Sequence, residues 1–375
     1  MTNMDKTKAR IIDITVKLVP SDCGRKWTIV NIHTDQGITG YGEATYSHKE
    51  TVVAEMINDL KEFIIGKDIW NTEEIYKILY TGARTGYRTG GIMFTSAISG
   101  IDQALWDIKG KILDSPVCAL LGGPRNAEVP IYSHFSCSDI NSMIKSAKST
   151  LSHGFNALKS GITMHENLGP DVSKKQLDEI EEKYKILRKE IGEEIILMDD
   201  PHGIFDPSSA IKVAKTIEPY NLLFLEEPTG PEDIKAYSHI RKSTSVPIAG
   251  SERLTSKKQF NRFFENECVD IAQPDIVYIG GITEMKKVCS IAEAYQVKIA
   301  PHNTKGPVGI MAAAHVMASS PNALIQEFMS PGVIPWRNDI LKNPLEIKNS
   351  CLVIEDRPGL GIEFNEKELN NRILK

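Results

Sequence analysis

The sequence has no apolar run near the ~20 residues that a membrane-spanning helix needs, and its first residues, Met1-Thr2-Asn3-Met4-Asp5-Lys6, are polar. Neither a membrane span nor a secretory leader is expected, and a cytoplasmic location is. Basic blocks are missing as well: with 25% charged residues and a net charge of −5, nothing in the balance favours nucleic acid. The six cysteines (Cys23, Cys118, Cys137, Cys268, Cys289, Cys351) contain no C-x-x-C pair, which argues against a zinc knuckle or a disulfide framework and for buried or half-buried thiols. Solenoid repeats and low-complexity tracts are absent too. The glycine-rich stretch from Thr81 to Gly91 lacks the G-K-[ST] ending of a phosphate loop and follows no strand. It is read as a mobile loop whose Arg84 and Arg88 can meet an anionic substrate.

What is present suits two domains: 375 residues, 41% of them hydrophobic, can bury a large core. Residues 9 to 45 alternate as an antiparallel meander of three strands, with a turn at Asp35-Gln36-Gly37. Ser47-His48-Lys49-Glu50 has the form of a capping box, and Val52, Val53, Met56, Ile57, Leu60 and Phe63 follow at helical spacing, predicting a helix of about 17 residues up to Gly66. Asn71 with Glu74 opens a second helix in the same way, and Ile92 to Lys111 gives a third. Three strands followed by three helices make a separate α+β domain, closed by Leu121-Gly122-Gly123-Pro124.

From Val129 short apolar runs alternate with longer helical patterns, the rhythm of parallel β/α units. The strand candidates are Pro130–Phe135, Ala157–Ser160, Ile195–Asp200, Leu222–Glu226, Pro247–Ser251, Ile271–Gln273, Val297–Pro301 and Leu324–Glu327, and eight strands close a barrel. Asp206-Pro207 reads as cap and first helical residue, and Gly281-Ile282-Thr283 precedes a helix from Met285 to Tyr295.

The chemistry lies where these strands stop. Asp200, Glu226, Glu252, Asp275, His302 and Glu327 fall 23 to 27 residues apart, about one strand-helix unit each, so a (β/α) barrel would bring them to one mouth together with Lys159 and His202. Uncompensated charges gathered there would cost several kcal/mol each unless paired or metal-bound. Asp200, Glu226 and Glu252 form an all-oxygen set that suits Mg2+ better than zinc or copper. His302 and Asp275 end neighbouring strands, the arrangement of a base oriented by a carboxylate. Such a base and a metal suit removal of the weakly acidic proton beside a carboxylate, and His202 is placed to protonate a leaving hydroxyl.

These residues resemble the enolase superfamily, and within it the mandelate-racemase-like acid-sugar dehydratases. The resemblance covers nearly the whole chain. It is carried by the words His33 to Glu43 and Ser96 to Lys111, and by those around Glu226-Glu227-Pro228, Gln273-Pro274-Asp275, Gly280-Gly281-Ile282-Thr283-Glu284 and Ala300-Pro301-His302. It implies an α/β fold, a modified TIM barrel (β/α)7β, under an N-terminal α+β capping domain. The expected boundaries are 1–125 for the cap, 126–330 for the barrel and 331–375 for a segment returning to the cap. It further implies Mg2+ on Asp200, Glu226 and Glu252, proton abstraction by the His302/Asp275 pair, His202 as acid on the 3-hydroxyl, and Glu327 hydrogen-bonded to the substrate carboxylate. The product would be a 2-keto-3-deoxy acid formed from an aldonate such as galactonate or gluconate. The expected partners are that small acid sugar and further copies of the chain.

Two departures stand out. Racemase-type members carry Lys-x-Lys on the second barrel strand, whereas Lys159-Ser160-Gly161 supplies one lysine, which weakens two-base racemisation and leaves Lys159 as either a carboxylate contact or a barrel-lining group. The residue before Glu252, usually glycine, is Ser251. An epimerase or cycloisomerase on the same scaffold is the alternative. Substrate choice is expected to reside in the loops Cys23 to Lys26, Arg84 to Arg88 and Thr163 to Asp171.

Overall fold

The computed structural model describes residues 8–21, 24–82, 90–164 and 170–373; Cys23, Arg84, Arg88 and residues 165–169 lie outside the described residues. Strands β1 (Ile11–Pro20), β2 (Lys26–Thr34) and β3 (Thr39–Glu43) form the expected antiparallel sheet. Against it pack α1 (Glu50–Lys61) and α3 (Gly91–Ile112), α2 (Thr72–Thr81) packs on α3, and a short α4 (Val117–Leu120) follows. Small residues allow the closest contact: a Cβ on Gly42 of β3 would stand 1.9 Å from the Gly100 carbonyl of α3.

The first two helix starts differ from expectation. Helix α1 begins at Glu50, so Ser47 caps nothing, and the Glu50 carboxylate instead accepts the N–H groups of His48 (3.0 Å) and Lys26 (3.2 Å). The helix is 12 residues long and gives way to turns ending at Gly66, which takes φ 80°. Asn71 precedes α2 but its side chain makes no cap bond.

The parallel strands are β4 (Ala127–His134), β5 (Ala157–Ser160), β6 (Ile196–Asp199), β7 (Phe224–Glu226), β8 (Ile248–Gly250), β9 (Ile271–Ala272), β10 (Lys298–Ile299) and β11 (Gln326–Glu327). They pair in chain order from β4 to β10, and β11 pairs β4. A parallel bridge from Ile299 to Ala323 and the Leu324 N–H to Ile299 carbonyl bond (2.8 Å) join β10 to the approach of β11, so the ring of hydrogen bonds is complete. Between the strands run α5 (Ile140–Ser152), α6 (Lys174–Ile191), α7 (Pro207–Ile217), α8 (Ile234–Arg241), α9 (Lys257–Glu265), α10 (Gly281–Ala294) and α11 (Pro307–Ala318). Asp206 caps α7 through Ser209 N–H at 2.8 Å with Pro207 in the first turn, as its sequence suggests. Helix α10 starts four residues before Met285, at Gly281.

The remaining chain forms β12 (Ile347–Lys348), β13 (Cys351–Ile354) and α12 (Glu366–Arg372). Strand β13 lies antiparallel along Ala127–Pro130, the lower half of β4. From there the chain reaches the N-terminal elements: Leu360 N–H donates to Asp107 of α3 (2.8 Å) and Phe364 meets Tyr41 edge-on. Among the described residues no helix is long and apolar enough to cross a membrane.

Candidate active site

Strand alternation builds the mouth. Tyr132, Ala157, Met198, Phe224, Ala249, Ile271, Ala300 and Ile325 pack together as an apolar plug, one residue from each strand or its edge. Two residues further along each strand, on the same face, stand His134, Lys159, Asp200, Glu226, Ser251, Gln273, His302 and Glu327. Glu252 and Asp275 follow one and two positions later. The period of two also sends Asp199 the other way, into the helical layer, where it accepts from Ser160 Oγ (2.7 Å), Ile162 N–H (3.1 Å) and the Tyr184 hydroxyl.

On the β9–β11 side the charges are paired. Asp275 Oδ2 lies 2.7 Å from His302 Nδ1 and 2.9 Å from Lys305 Nζ, while its Oδ1 accepts Val277 N–H at 2.8 Å. Burial would raise the Asp275 pKa, but Lys305 and His302 outweigh it and hold the carboxyl below its ordinary range. Burial would lower that of His302, but Glu252, Glu327 and Asp275 raise it to about 9. With Nδ1 on Asp275, the His302 Nε2 faces the mouth, 3.5 Å from Glu252 and 3.7 Å from Glu327. Glu327 is saturated: Oε2 accepts Asn303 N–H at 2.6 Å, and Oε1 faces Lys159 Nζ (2.8 Å) and the His134 ring. Despite burial, Lys159, His302 and His134 keep its pKa well below the ordinary value. Both Glu327 oxygens are thus taken up by donors of the site, with Lys159 and His134 held on Oε1.

On the β5–β8 side the charges are less well met. Lys159 Nζ is 2.7 Å from Glu226 Oε2 and 3.4 Å from Asp200 Oδ2, and Glu226 Oε1 is buried with no hydrogen-bond partner. Burial first, then the negative charge of its neighbours, raises the Glu226 pKa; burial likewise dominates the rise at Glu252. Three non-glycine residues here take positive φ: His202 (53°), Glu227 (34°) and Ser251 (85°). Each lies within two residues of a candidate ligand, and such strain of about 1–3 kcal/mol per residue concentrates at functional sites. The value at Ser251 shows why glycine suits that position; its hydroxyl bonds the Gly250 carbonyl and accepts Gln273 N–H at 3.2 Å.

Among the described residues no group of three or more acids, histidines or cysteines is drawn together as a metal cluster. The donor chemistry nevertheless fits a hard divalent cation. All three candidate ligands offer oxygen, Glu226 Oε1 is buried without a partner, and burial outweighs the nearby Lys159 and His302 in raising Glu226 and Glu252, a balance that a divalent cation would reverse.

His202 stands on the rim, half exposed, with its N–H donated to Asp200 Oδ1 at 2.8 Å. It follows β6 and His302 follows β10, four places apart in a ring of eight, so the two imidazoles flank the mouth from opposite sides. A cavity of about 430 Å3 opens beside His202, over the ends of β4 to β6, lined by His134, Phe135, Cys137, Lys159, Asp200 and His202 among others. A slightly larger cavity, about 460 Å3, lies at the other end of the strands, around Arg188 and Ile195, away from these groups.

The fold thus gathers all eight residues singled out from the sequence. It adds three that were missed. His134 and Gln273 could have been found by counting two residues on from the apolar plug, and both Gln273 side-chain polar atoms are buried without partners. Lys305 sits in a loop with no periodic signal, buried between Asp275 and the Tyr278 hydroxyl (2.8 Å).

Comparison with known proteins supports this picture at family level. Residues 10–122 match the N-terminal domain of the mandelate racemase / muconate lactonizing enzyme family, and residues 142–368 match the enolase C-terminal domain-like family. D-galactonate dehydratase of Cronobacter sakazakii is 34% identical over 350 residues, 92% of this chain and 90% of that protein. Among solved structures, the 3,6-anhydro-D-galactonate cycloisomerase of Zobellia galactanivorans superposes with a TM-score of 0.87 at 31% identity, covering 98% of this chain and 100% of that one. A member of the enolase superfamily from Salmonella Typhimurium gives 0.89 at 28% identity, with 98% of each chain covered.

Proposed function

The chain belongs to the enolase superfamily and is an enzyme, and from that premise we propose that it is a Mg2+-dependent hydro-lyase converting an aldonate such as galactonate or gluconate into a 2-keto-3-deoxy acid. The observation that carries the reading is the pair of imidazoles at the ends of β6 and β10, four places apart in the ring, with His302 backed by Asp275 and His202 half exposed at the rim, its Nδ1 3.2 Å from the Asp200 carbonyl. In the neutral imidazole, with Nδ1–H committed to Asp275, His302 Nε2 is the nitrogen that takes the proton alpha to the substrate carboxylate. Lys159 and His134, held by Glu327, donate to the carboxylate end of the substrate. His202 delivers a proton to the departing 3-hydroxyl. Asp200, Glu226 and Glu252 would hold Mg2+, which supplies positive charge where negative charge develops on the substrate carboxylate.

The test is a panel of acid sugars incubated with enzyme and Mg2+ and scored for keto-acid release; no release from any hexonate or pentonate ends the proposal. His202→Asn separates the steps: alpha-proton exchange with solvent deuterium survives while keto-acid formation falls about 100-fold. Similarity to the Zobellia galactanivorans cycloisomerase favours cycloisomerisation as the second reading. That reading gains if a substrate isomerises without loss of water.

A further inference from the structure

Five helices that follow barrel strands cap themselves. Asp139, Ser173, Asp206, Asp233 and Ser256 each accept a backbone N–H in the first turn of α5 to α9. Helices α10 and α11 have no side-chain cap of their own and open on Gly280-Gly281 and Gly306-Pro307. Carboxylates of the N-terminal domain take that place. Asp102 of α3 accepts Thr283 N–H at 2.9 Å and the Thr283 hydroxyl at 2.5 Å, and Ser99 Oγ accepts Gly280 N–H at 2.9 Å. Glu43, the last residue of β3, accepts Gly306 N–H at 2.7 Å and Gly309 N–H at 2.8 Å and is itself bonded by the Thr45 hydroxyl at 2.6 Å. Both acids are buried. The glycines are the room these acids need: a Cβ on Gly281 would lie 2.5 Å from Asp102 Oδ2, and one on Gly306 would lie 2.7 Å from the Trp27 ring and 3.0 Å from Glu43 Oε2.

The Glu43 cap reaches into the acid–base loop. Asn303 N–H donates to Glu327, Asn303 Nδ2 donates to the Gly309 carbonyl at 3.0 Å, and Asn303 Oδ1 accepts Lys305 N–H at 3.3 Å. Lys305 Nζ shares Asp275 Oδ2 with His302. Two bonds from Glu43 therefore anchor the far end of a loop whose near end carries His302. We propose that Glu43 is a positioning residue of the acid–base site, capping α11 from the other domain and so fixing the loop from His302 to Gly309. The N-terminal domain is then part of the site's scaffold: the base, Asn303 and Lys305 hold their places only while it is docked. The kinetic part of this proposal rests on the reading of His302 as base; the structural part does not.

The test uses Glu43→Gln in the full chain. Glutamine keeps the size but offers one accepting oxygen, so one of the two glycine N–H groups loses its partner. Hydrogen–deuterium exchange should accelerate about tenfold in residues 303–311 and stay unchanged in residues 256–264, where α9 caps itself. With an acid-sugar substrate, kcat should fall about tenfold while KM stays within about threefold, and Glu43→Asp should recover part of the loss. Unchanged exchange in 303–311, or equal acceleration in both segments, overturns the proposal whatever the turnover. Failure of the wild type to turn over any acid sugar would count against the reading of function, while the exchange comparison would still decide this one. Should Glu43→Gln not fold, Thr45→Val removes one bond to Glu43 and should show the same preference for 303–311 at smaller amplitude; lack of that preference there also overturns it.

Discussion

On the β6–β8 side of the mouth, Glu226 keeps an unpartnered buried oxygen, burial raises the pKa values of Glu226 and Glu252, and three non-glycine residues hold positive φ. On the β9–β11 side, both oxygens of Asp275 and both of Glu327 have donors, and both acids are held below their ordinary range. The two sides also differ in support: α7 to α9 cap themselves, while α10 and α11 are capped by Asp102 and Glu43 of the N-terminal domain. A buried polar group left unpaired costs free energy that the fold must recover elsewhere. The contrast therefore separates a side whose acids are paired as folded, with the Gln273 side chain left unpartnered there, from a side whose acids a cation would complete.

The largest expected break in this contrast comes from the paired side. His302→Asn should lower keto-acid formation about 1,000-fold or more and abolish alpha-proton exchange, read by deuterium incorporation, while leaving stabilisation by Mg2+ in place. The next concerns His315 of α11, which burial holds neutral with its pKa lowered from 6.5 to about 4 while its Nδ1 accepts Cys118 N–H at 3.0 Å. Between those values the unfolded chain binds a proton that the folded chain does not, so stability falls as pH drops from 6.5 towards 4 and levels off below. The loss is about 3 kcal/mol at most, and urea melts at about pH 7 and about pH 5 should show a slope that His315→Gln flattens.

On the incomplete side, Glu226→Gln should remove the gain in thermal stability on adding Mg2+, worth about 2.7 kcal/mol when the ion is present at about 100 times its Kd. A full Mg2+ shift in that variant would show that the three acids are not the ion's ligands. The smallest effect tests self-capping: Asp206→Ala should cost about 1 kcal/mol in a denaturant melt, with faster exchange confined to the start of α7.

Much of this was legible before folding because a (β/α) strand announces itself as a short apolar run and places its last polar residue at the mouth. Asp200, Glu226, Glu252 and His302 all carry that signal. Asp200 could be told from Asp199 by strand register together with the Asp-x-His spacing of the family it resembles, and the structure puts Asp199 against Ser160 and Tyr184 in the helical layer. What escaped depends on partners distant in sequence. Lys305 is defined by its contact with Asp275, and Glu43 by N–H groups more than 260 positions away. Ser47-x-x-Glu50 misled because Glu50 found stronger company in the N–H groups of Lys26 and His48. Glu327 was visible as a strand-end acid, but its partners were not, since Lys159, His134 and the Asn303 N–H come to it from distant parts of the chain.

The pairing of β4 bears on how the chain is made. Its upper residues join β5 and β11, but Ala127–Pro130 pair with Cys351–Ile354, more than 200 residues later. At a synthesis rate of roughly 5–20 residues per second, that half-strand waits tens of seconds on the ribosome for its partner. An open strand edge is a template for pairing with other chains. This one contains Glu128, which brings charge, and Pro130, which has no N–H to offer. The first barrel strand to emerge thus carries its own protection until the C-terminal hairpin arrives to cover it.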